Sequence, residues 1–182
     1  MIYLMRHGLD DEDYVGGWSD KGLIPEGIKQ VEAAINFLKE KKLNVAKIIT
    51  SDIIRSKESA IMIGEALGLE VEESKYLREL NKGDLNGLKK DKALNEYLEQ
   101  VELDTVYPNG ESQITFIKRI SEDLDEIFKE DNVLIVTHRG VINEIYRLYN
   151  GDSMSMDKKR YGVTHGSIHA LDKVDKKIYQ IF

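Results

Sequence analysis

The sequence predicts an α/β fold, a three-layer α/β/α sandwich around a largely parallel central sheet. Apolar, strand-like runs alternate along the chain with segments whose apolar residues recur at helical spacing. Two of these runs, residues 1–5 and 133–136, are unbroken, which is typical of strands covered on both faces. Because strands and helices alternate through loops of moderate length, we expect helices on both faces of the sheet. The two unbroken runs should be central strands, adjacent or nearly so.

Turn and capping residues delimit the predicted elements. Pro25 suits the first turn of a helix, Ser51 and Asp52 supply an N-cap, Gly68 stops the helix that they begin, and Ser112 caps a later one. The predicted helices cover residues 25–42, 53–67, 91–101, 113–127 and 141–149. The other predicted strands are residues 45–50, a weak edge strand at 69–73, and a terminal hairpin of 167–174 and 177–182.

Composition excludes several classes of protein. A chain of 182 residues is most simply one domain, residues 1–182. It contains no cysteine, which excludes thiolate metal sites, thiol catalysis and disulfides and favours a cytoplasmic setting. No signal segment or membrane span is predicted, and a net charge of -7 argues against a nucleic-acid partner. An anionic substrate is still compatible, because clustered arginines can outweigh the average charge.

Cationic and imidazole side chains follow three of the predicted strands. They are Arg6-His7-Gly8, Arg55 in the first turn of the second helix, and His138-Arg139-Gly140. Ligands bind outside the carboxyl ends of strands in open α/β sheets, so we expect one shared pocket. Arginine forks and helix N-termini suit a phosphoryl group, and Gly8 lets a ligand approach the backbone closely. Zinc is the disfavoured alternative, because it needs three or more ligands and the arginines would repel it.

Six blocks of the sequence are similar to those of one known family, in order and over nearly the whole chain. They are residues 6–8, 17–30, 50–60, 77–87, 108–112 and 136–142. With these blocks the chain resembles the histidine phosphatase superfamily, the phosphoglycerate-mutase-like enzymes. The resemblance implies a phosphoglycerate-mutase-like fold.

The resemblance also implies a mechanism that needs no metal or cofactor. His7 would be the nucleophile that forms a phosphohistidine, and Glu79 would be the general acid and then the general base. Arg6, Arg55 and His138 would hold the phosphoryl oxygens and stabilise the transition state. Gly8, Trp18, Arg139 and His165 are the further candidates for contact with the substrate.

Several residues near the motifs leave alternatives open. Trp18 is a substrate contact or a loop anchor, Arg139 is an extra anion contact or a helix-surface residue, and His165 is a pocket residue or a structural one. Asp10 and Asp13 depart from the family, which often has a hydroxyl residue and an asparagine there. A carboxylate near a phosphate is unfavourable unless it points away or meets a cation.

The leading hypothesis is a phosphomonoesterase that hydrolyses a small phosphorylated metabolite. A mutase is the first alternative, disfavoured because the chain is short and the region after Glu79 lacks the longer insertion typical of the mutases. A weakly active phospho-ligand-binding regulator is the second, motivated by the departures from the family at Asp10 and Asp13. A homodimer is compatible with the sequence but not required by it.

Overall fold

A computed structural model describes residues 1–93, 102–155, 157, 159–175 and 177–182. Within these residues a six-stranded sheet has the order β3-β2-β4-β1-β5-β6. Its strands are β1 (Ile2–Arg6), β2 (Lys47–Ser51), β3 (Val71–Ser74), β4 (Val133–Thr137), β5 (Ile168–Asp172) and β6 (Lys177–Gln180). The first four in space are parallel, and the terminal hairpin is antiparallel. The largely parallel sheet, the adjacency of β1 and β4 and the edge position of β3 are confirmed.

Four helices longer than two turns lie in the described part of the chain. They are α1 (Pro25–Glu40), α2 (Ile54–Leu67), α3 (Gln113–Ile127) and α4 (Arg139–Asn150). As predicted, α2 ends at Gly68 in the left-handed conformation, and the Ser112 hydroxyl caps α3 by accepting from the Thr115 amide at 3.1 Å. The helix predicted at 91–101 lies mostly outside the described residues. None of the described helices is long and apolar enough to cross a membrane.

The cap predicted for α2 is wrong. The residue before α2 is Ile53, and no side chain caps the helix. Ser51 belongs to β2, and its hydroxyl contacts His138 Nε2 at 2.9 Å. Asp52 instead accepts a hydrogen bond of 2.6 Å from Arg78 Nε. Asp52 pairs with a charged guanidinium group, and the Ser51 hydroxyl bonds the buried His138 ring and the Ile53 amide, so neither side chain caps an amide inside the helix.

Two apolar layers enclose the sheet. Tyr3 and Met5 of β1 face α1 and α2, whereas Ile2 and Leu4 face α3 and α4. The alternation follows from the two-residue period of a strand, and it buries β1 on both faces. The predicted three-layer sandwich is therefore confirmed, with the carboxyl ends of β1, β2 and β4 at one edge.

His169 is a buried structural residue of β5. Its Nδ1 lies 2.9 Å from the Tyr146 hydroxyl and its Nε2 lies 2.9 Å from the Ser167 hydroxyl. Burial lowers the pKa of His169 to about 4, so the ring is neutral in the folded protein at neutral pH.

This burial predicts a specific loss of stability in acid. Between pH 6.5 and about 4 the unfolded chain protonates His169 and the folded chain does not, so stability falls as the pH falls. His169→Gln removes this titration. The free energy of unfolding of the wild type should therefore fall more steeply in that range, by about 1.4 kcal/mol per pH unit. Urea unfolding at a series of pH values measures the two slopes, and equal slopes would contradict the prediction.

Candidate active site

The three predicted motifs meet at the carboxyl edge of the sheet. Arg6 of β1 pairs in register with Thr137 of β4, so His7 and His138 follow neighbouring strand ends. Their ring centroids are 5.1 Å apart. Arg55 enters from the first turn of α2, and its Nε lies 3.1 Å from His7 Nε2.

Hydrogen bonds define which nitrogen of His7 carries the proton. Its Nδ1 lies 2.6 Å from the carbonyl oxygen of Gly8, and a carbonyl can only accept. We therefore assign the proton to Nδ1, which leaves the lone pair on Nε2 facing the Arg55 Nε–H. Burial and then the positive charge of Arg55 lower the pKa of His7 well below its usual value. The ring is thus a neutral imidazole with a nucleophilic Nε2.

Arg55 is buried and held at three of its nitrogens. Nη1 donates to the Ser19 hydroxyl at 3.2 Å and Nη2 to the Gly17 carbonyl at 2.8 Å. Nε faces both His7 and a carboxylate oxygen of Asp10, the latter at 3.4 Å. The glycine-rich loop after β1 therefore holds the guanidinium group of Arg55 next to His7 Nε2.

Arg6 supplies a second positive charge to the site and contacts the ring of His165. Arg6 Nη1 donates to the Val163 carbonyl at 3.0 Å, and Nη2 contacts His165 Nε2. Burial and then Arg6 lower the pKa of His165 to about 3, so the neutral ring accepts this bond. Burial and then the charge of Arg139 lower the pKa of Arg6 to about 10, which still leaves it charged at neutral pH. His165 thus meets the site through Arg6, and its contact with the substrate stays a prediction.

Two buried nitrogens in this cluster have no hydrogen-bond partner within the described residues, Arg6 Nε and His138 Nδ1. His138 is fully buried, and burial followed by the charge of Arg55 lowers its pKa well below the usual value. When its Nε2 accepts from the Ser51 hydroxyl, Nδ1 carries the proton. Buried donors are normally paired, so both nitrogens are suited to an incoming acceptor such as a phosphoryl oxygen.

Glu79 faces the same cavity from the loop before α3. Its carboxylate accepts from the Leu80 amide at 3.1 Å and from the Gly140 amide, in the first turn of α4, at 3.0 Å. Its backbone carbonyl accepts from the Trp18 indole at 2.7 Å and from Arg119 at 3.2 Å. Trp18 therefore holds the backbone of Glu79, as a loop anchor would, and its contact with the substrate stays a prediction.

Gly140 should be required for the position of Glu79. A Cβ at residue 140 would lie 2.2 Å from Glu79 Oε1, so Gly140→Ala must displace the carboxylate. A displacement of about 1 Å at a reacting group lowers turnover by about a hundredfold, which we expect for an alkyl phosphate. Steady-state assays of Gly140→Ala, Glu79→Gln and the double variant test this. Strictly additive losses in the double variant would show that Gly140 acts elsewhere.

The site opens into a cavity of about 240 Å³. Arg6, His7, Arg55, Glu79 and Arg139 are among the residues that line it. Among the described residues the lining has seven lysines and arginines and six carboxylates, a small local excess of positive charge in a chain of net charge -7. This distribution favours an anionic ligand. Arg139 is half-buried at the wall, which is the position that the anion-contact alternative requires.

Gly8 has a packing role that the sequence did not reveal. It does not line the cavity, and its amide donates to the Ser59 hydroxyl at 3.2 Å. A Cβ at Gly8 would lie 2.3 Å from the carbonyl oxygen of Gly27 in α1. Gly8 therefore allows the backbone to approach α1 closely. Contact of Gly8 with a phosphoryl group remains a prediction.

The donor atoms of His7, Asp10 and His165 lie within 4.8 Å of one another, close enough to suggest a metal site. Arginines already contact this group, however: Arg55 donates to His7 Nε2, and Arg6 contacts His165 Nε2. A cation would have to displace both guanidinium groups, so the surroundings suit an anion better.

The sequence did not single out the residues that hold the backbone around Glu79 in place. Arg119 of α3 pairs with Glu111 at 2.7 Å and also donates to the carbonyls of residues 76, 78 and 79. Glu111 in turn accepts from the Asn81 amide at 2.9 Å. Glu111 lies in one of the quoted blocks, but no sequence pattern singled out Arg119, since it is one polar residue of an amphipathic helix.

A sequence profile of the histidine phosphatase superfamily (branch 1) matches residues 2–178. The chain belongs to this superfamily. Among curated histidine phosphatase relatives, the chicken 6-phosphofructo-2-kinase/fructose-2,6-bisphosphatase is 30% identical over 150 residues, which are 78% of this chain and 31% of that protein. Form 3 of the human enzyme is 31% identical over 150 residues, 78% of this chain and 28% of the enzyme. The chain thus spans less than a third of the length of these relatives.

Solved structures confirm the phosphoglycerate-mutase-like fold of this member of the histidine phosphatase superfamily. The alpha-ribazole phosphatase from Shigella flexneri superposes with a TM-score of 0.79 at 21% identity, over 99% of this chain and 94% of the other. A mycobacterial glucosyl-3-phosphoglycerate phosphatase in complex with VO3 gives a TM-score of 0.79 at 21% identity, over 99% and 96% of the two chains.

Proposed function

We propose that the chain is a metal-independent phosphomonoesterase that hydrolyses a small phosphorylated metabolite through a phosphohistidine on His7. The observation that carries this proposal is the neutral, buried His7 Nε2, surrounded by Arg6, Arg55 and His138. The structural relatives support a phosphatase, since the two named above are an alpha-ribazole phosphatase and a glucosyl-3-phosphoglycerate phosphatase.

The first step forms the phosphoenzyme. Arg6, Arg55 and His138 bind the phosphoryl oxygens and oppose the charge that develops in an in-line transfer. Engagement of Arg55 by those oxygens frees the lone pair of His7 Nε2, which attacks phosphorus. As the N–P bond forms, the P–O bond to the alcohol breaks, and protonated Glu79 gives its proton to the departing oxygen.

The second step returns the enzyme to its starting state. The Glu79 carboxylate takes a proton from a water molecule, and the water oxygen attacks the phosphohistidine. The N–P bond breaks, inorganic phosphate leaves, and His7 is again a neutral imidazole. Trp18 and Arg119 support both steps by holding the backbone of Glu79 in place.

The proposal is tested with an aryl phosphate and with 3-phosphoglycerate. We expect phosphate release from the aryl ester and no isomerisation of 3-phosphoglycerate. Isomerisation would favour a mutase. Binding of phosphate esters without release of phosphate would favour a phospho-ligand-binding regulator. The acidic residues Asp10, Asp11 and Glu12 in the cavity lining support this second candidate.

A further inference from the structure

Asp10 is the residue of the site whose chemistry fits a phosphoryl ligand least. Its side chain is 13% exposed, with one carboxylate oxygen 3.4 Å from Arg55 Nε and the other 3.8 Å from His165 Nε2. Its backbone is held by an antiparallel bridge to Leu23. A carboxylate is thus fixed against the arginine that the phosphoryl group needs, and it lines the same cavity.

We propose that Asp10 and the phosphoryl group of the substrate compete for Arg55, so that phosphoryl binding is accompanied by uptake of a proton on Asp10. This inference rests on the proposed function and assigns Asp10 a part in setting the affinity for phosphate. Two anionic groups that share one guanidinium in a buried site cannot both keep full charge without a large cost. The bridge to Leu23 holds the Asp10 backbone in place, so only rotation of the side chain can move the carboxylate away.

The charged surroundings of Asp10 support proton uptake. Arg55 of α2 and Arg6 of β1 stabilise the carboxylate, and Glu12 of the same loop opposes it. His7 and His165 also face it, but both are neutral, so they supply no compensating charge. Burial outweighs the arginines and raises the pKa of Asp10 above its usual value.

A bound phosphoryl dianion would raise that pKa further, since it adds negative charge and withdraws Arg55. When the pKa is higher in the bound state, binding takes up protons, and affinity rises as the pH falls toward the pKa of the free state. Protonated Asp10 then donates a hydrogen bond to a phosphoryl oxygen instead of repelling it.

The experiment is calorimetric titration of inorganic phosphate into the wild type and Asp10→Asn, between pH 6 and 8, in two buffers of different ionisation enthalpy. The wild type should take up about one proton more than Asp10→Asn on binding. At pH 8, Asp10→Asn should bind phosphate about tenfold more tightly, and this ratio should shrink as the pH falls. The comparison at each pH cancels the titration of phosphate itself. Asp10→Ser repeats the test without an amide, and Asp10→Glu keeps the charge and the proton uptake.

The outcomes separate this inference from the proposed function. Equal proton uptake and equal affinity in the wild type, Asp10→Asn and Asp10→Ser would overturn the role of Asp10 and leave the phosphatase proposal standing. Weaker phosphate binding by both neutral variants would also overturn it, since Asp10 would then support the site. Absence of phosphate binding in every protein would overturn the phosphoryl site and this inference together. Phosphate binding with the predicted proton uptake but without turnover would keep the inference and reject only the catalytic proposal.

Discussion

Replacing His7 with alanine is expected to lower phosphatase turnover by about four orders of magnitude or more. The variant removes the imidazole Nε2 that faces Arg55 at the end of β1. Without a nucleophile, neither the N–P bond nor the phosphoenzyme can form, and the arginines by themselves retain only binding. Release of phosphate from an aryl ester, measured at saturating substrate, gives the loss.

A phosphoenzyme assay makes the His7 prediction specific. The wild type, quenched during turnover, should carry one acid-labile phosphoryl group on the peptide that contains His7, and His7→Ala should carry none. His169→Gln is the matched control, because it removes a buried histidine of β5 that stays outside the cavity lining. Turnover of His7→Ala comparable to that of the control would reject the mechanism.

Glu79→Gln is expected to give the second largest effect, and the effect should depend on the leaving group. Loss of a general acid lowers turnover of an alkyl phosphate by about 10²- to 10⁴-fold, because the alkoxide then leaves without a proton. An aryl phosphate with a good leaving group needs no such proton. Its first turnover should remain fast and then stall, since no base activates water against the phosphohistidine. Rapid-quench kinetics with both esters measures this difference.

Asp11→Asn provides the control for Glu79. It removes a carboxylate from the lining of the same cavity, but one that accepts a hydrogen bond from the Asp13 amide of its own loop. Its effects on the two esters should be small and equal. If Glu79→Gln instead slowed both esters equally, with no burst of the aryl alcohol, Glu79 would position the substrate and transfer no proton.

The fold was predictable because its signals are local. The unbroken apolar run 133–136 and the first residues of the chain became the neighbouring strands β4 and β1, and Gly68 and Ser112 ended and began helices as expected. The predicted cap at Ser51 and Asp52 failed for a physical reason. A capping hydroxyl or carboxylate has several partners of similar energy, and only the packed structure brings His138 and Arg78 within reach.

The sequence by itself determined the strand ends that carry Arg6, His7 and His138, because apolar periodicity and the residues that interrupt it are properties of short segments. The same pattern placed Arg55 in the first turn of the helix after a strand, whereas Glu79 came only from the resemblance to the histidine phosphatases. Tertiary structure alone decided that Arg55 faces His7 Nε2, that Gly140 makes room for Glu79, and that Asp10 faces Arg55. These are contacts between residues distant in sequence, and their energies depend on burial and on distances of 3 to 4 Å, which no local pattern encodes.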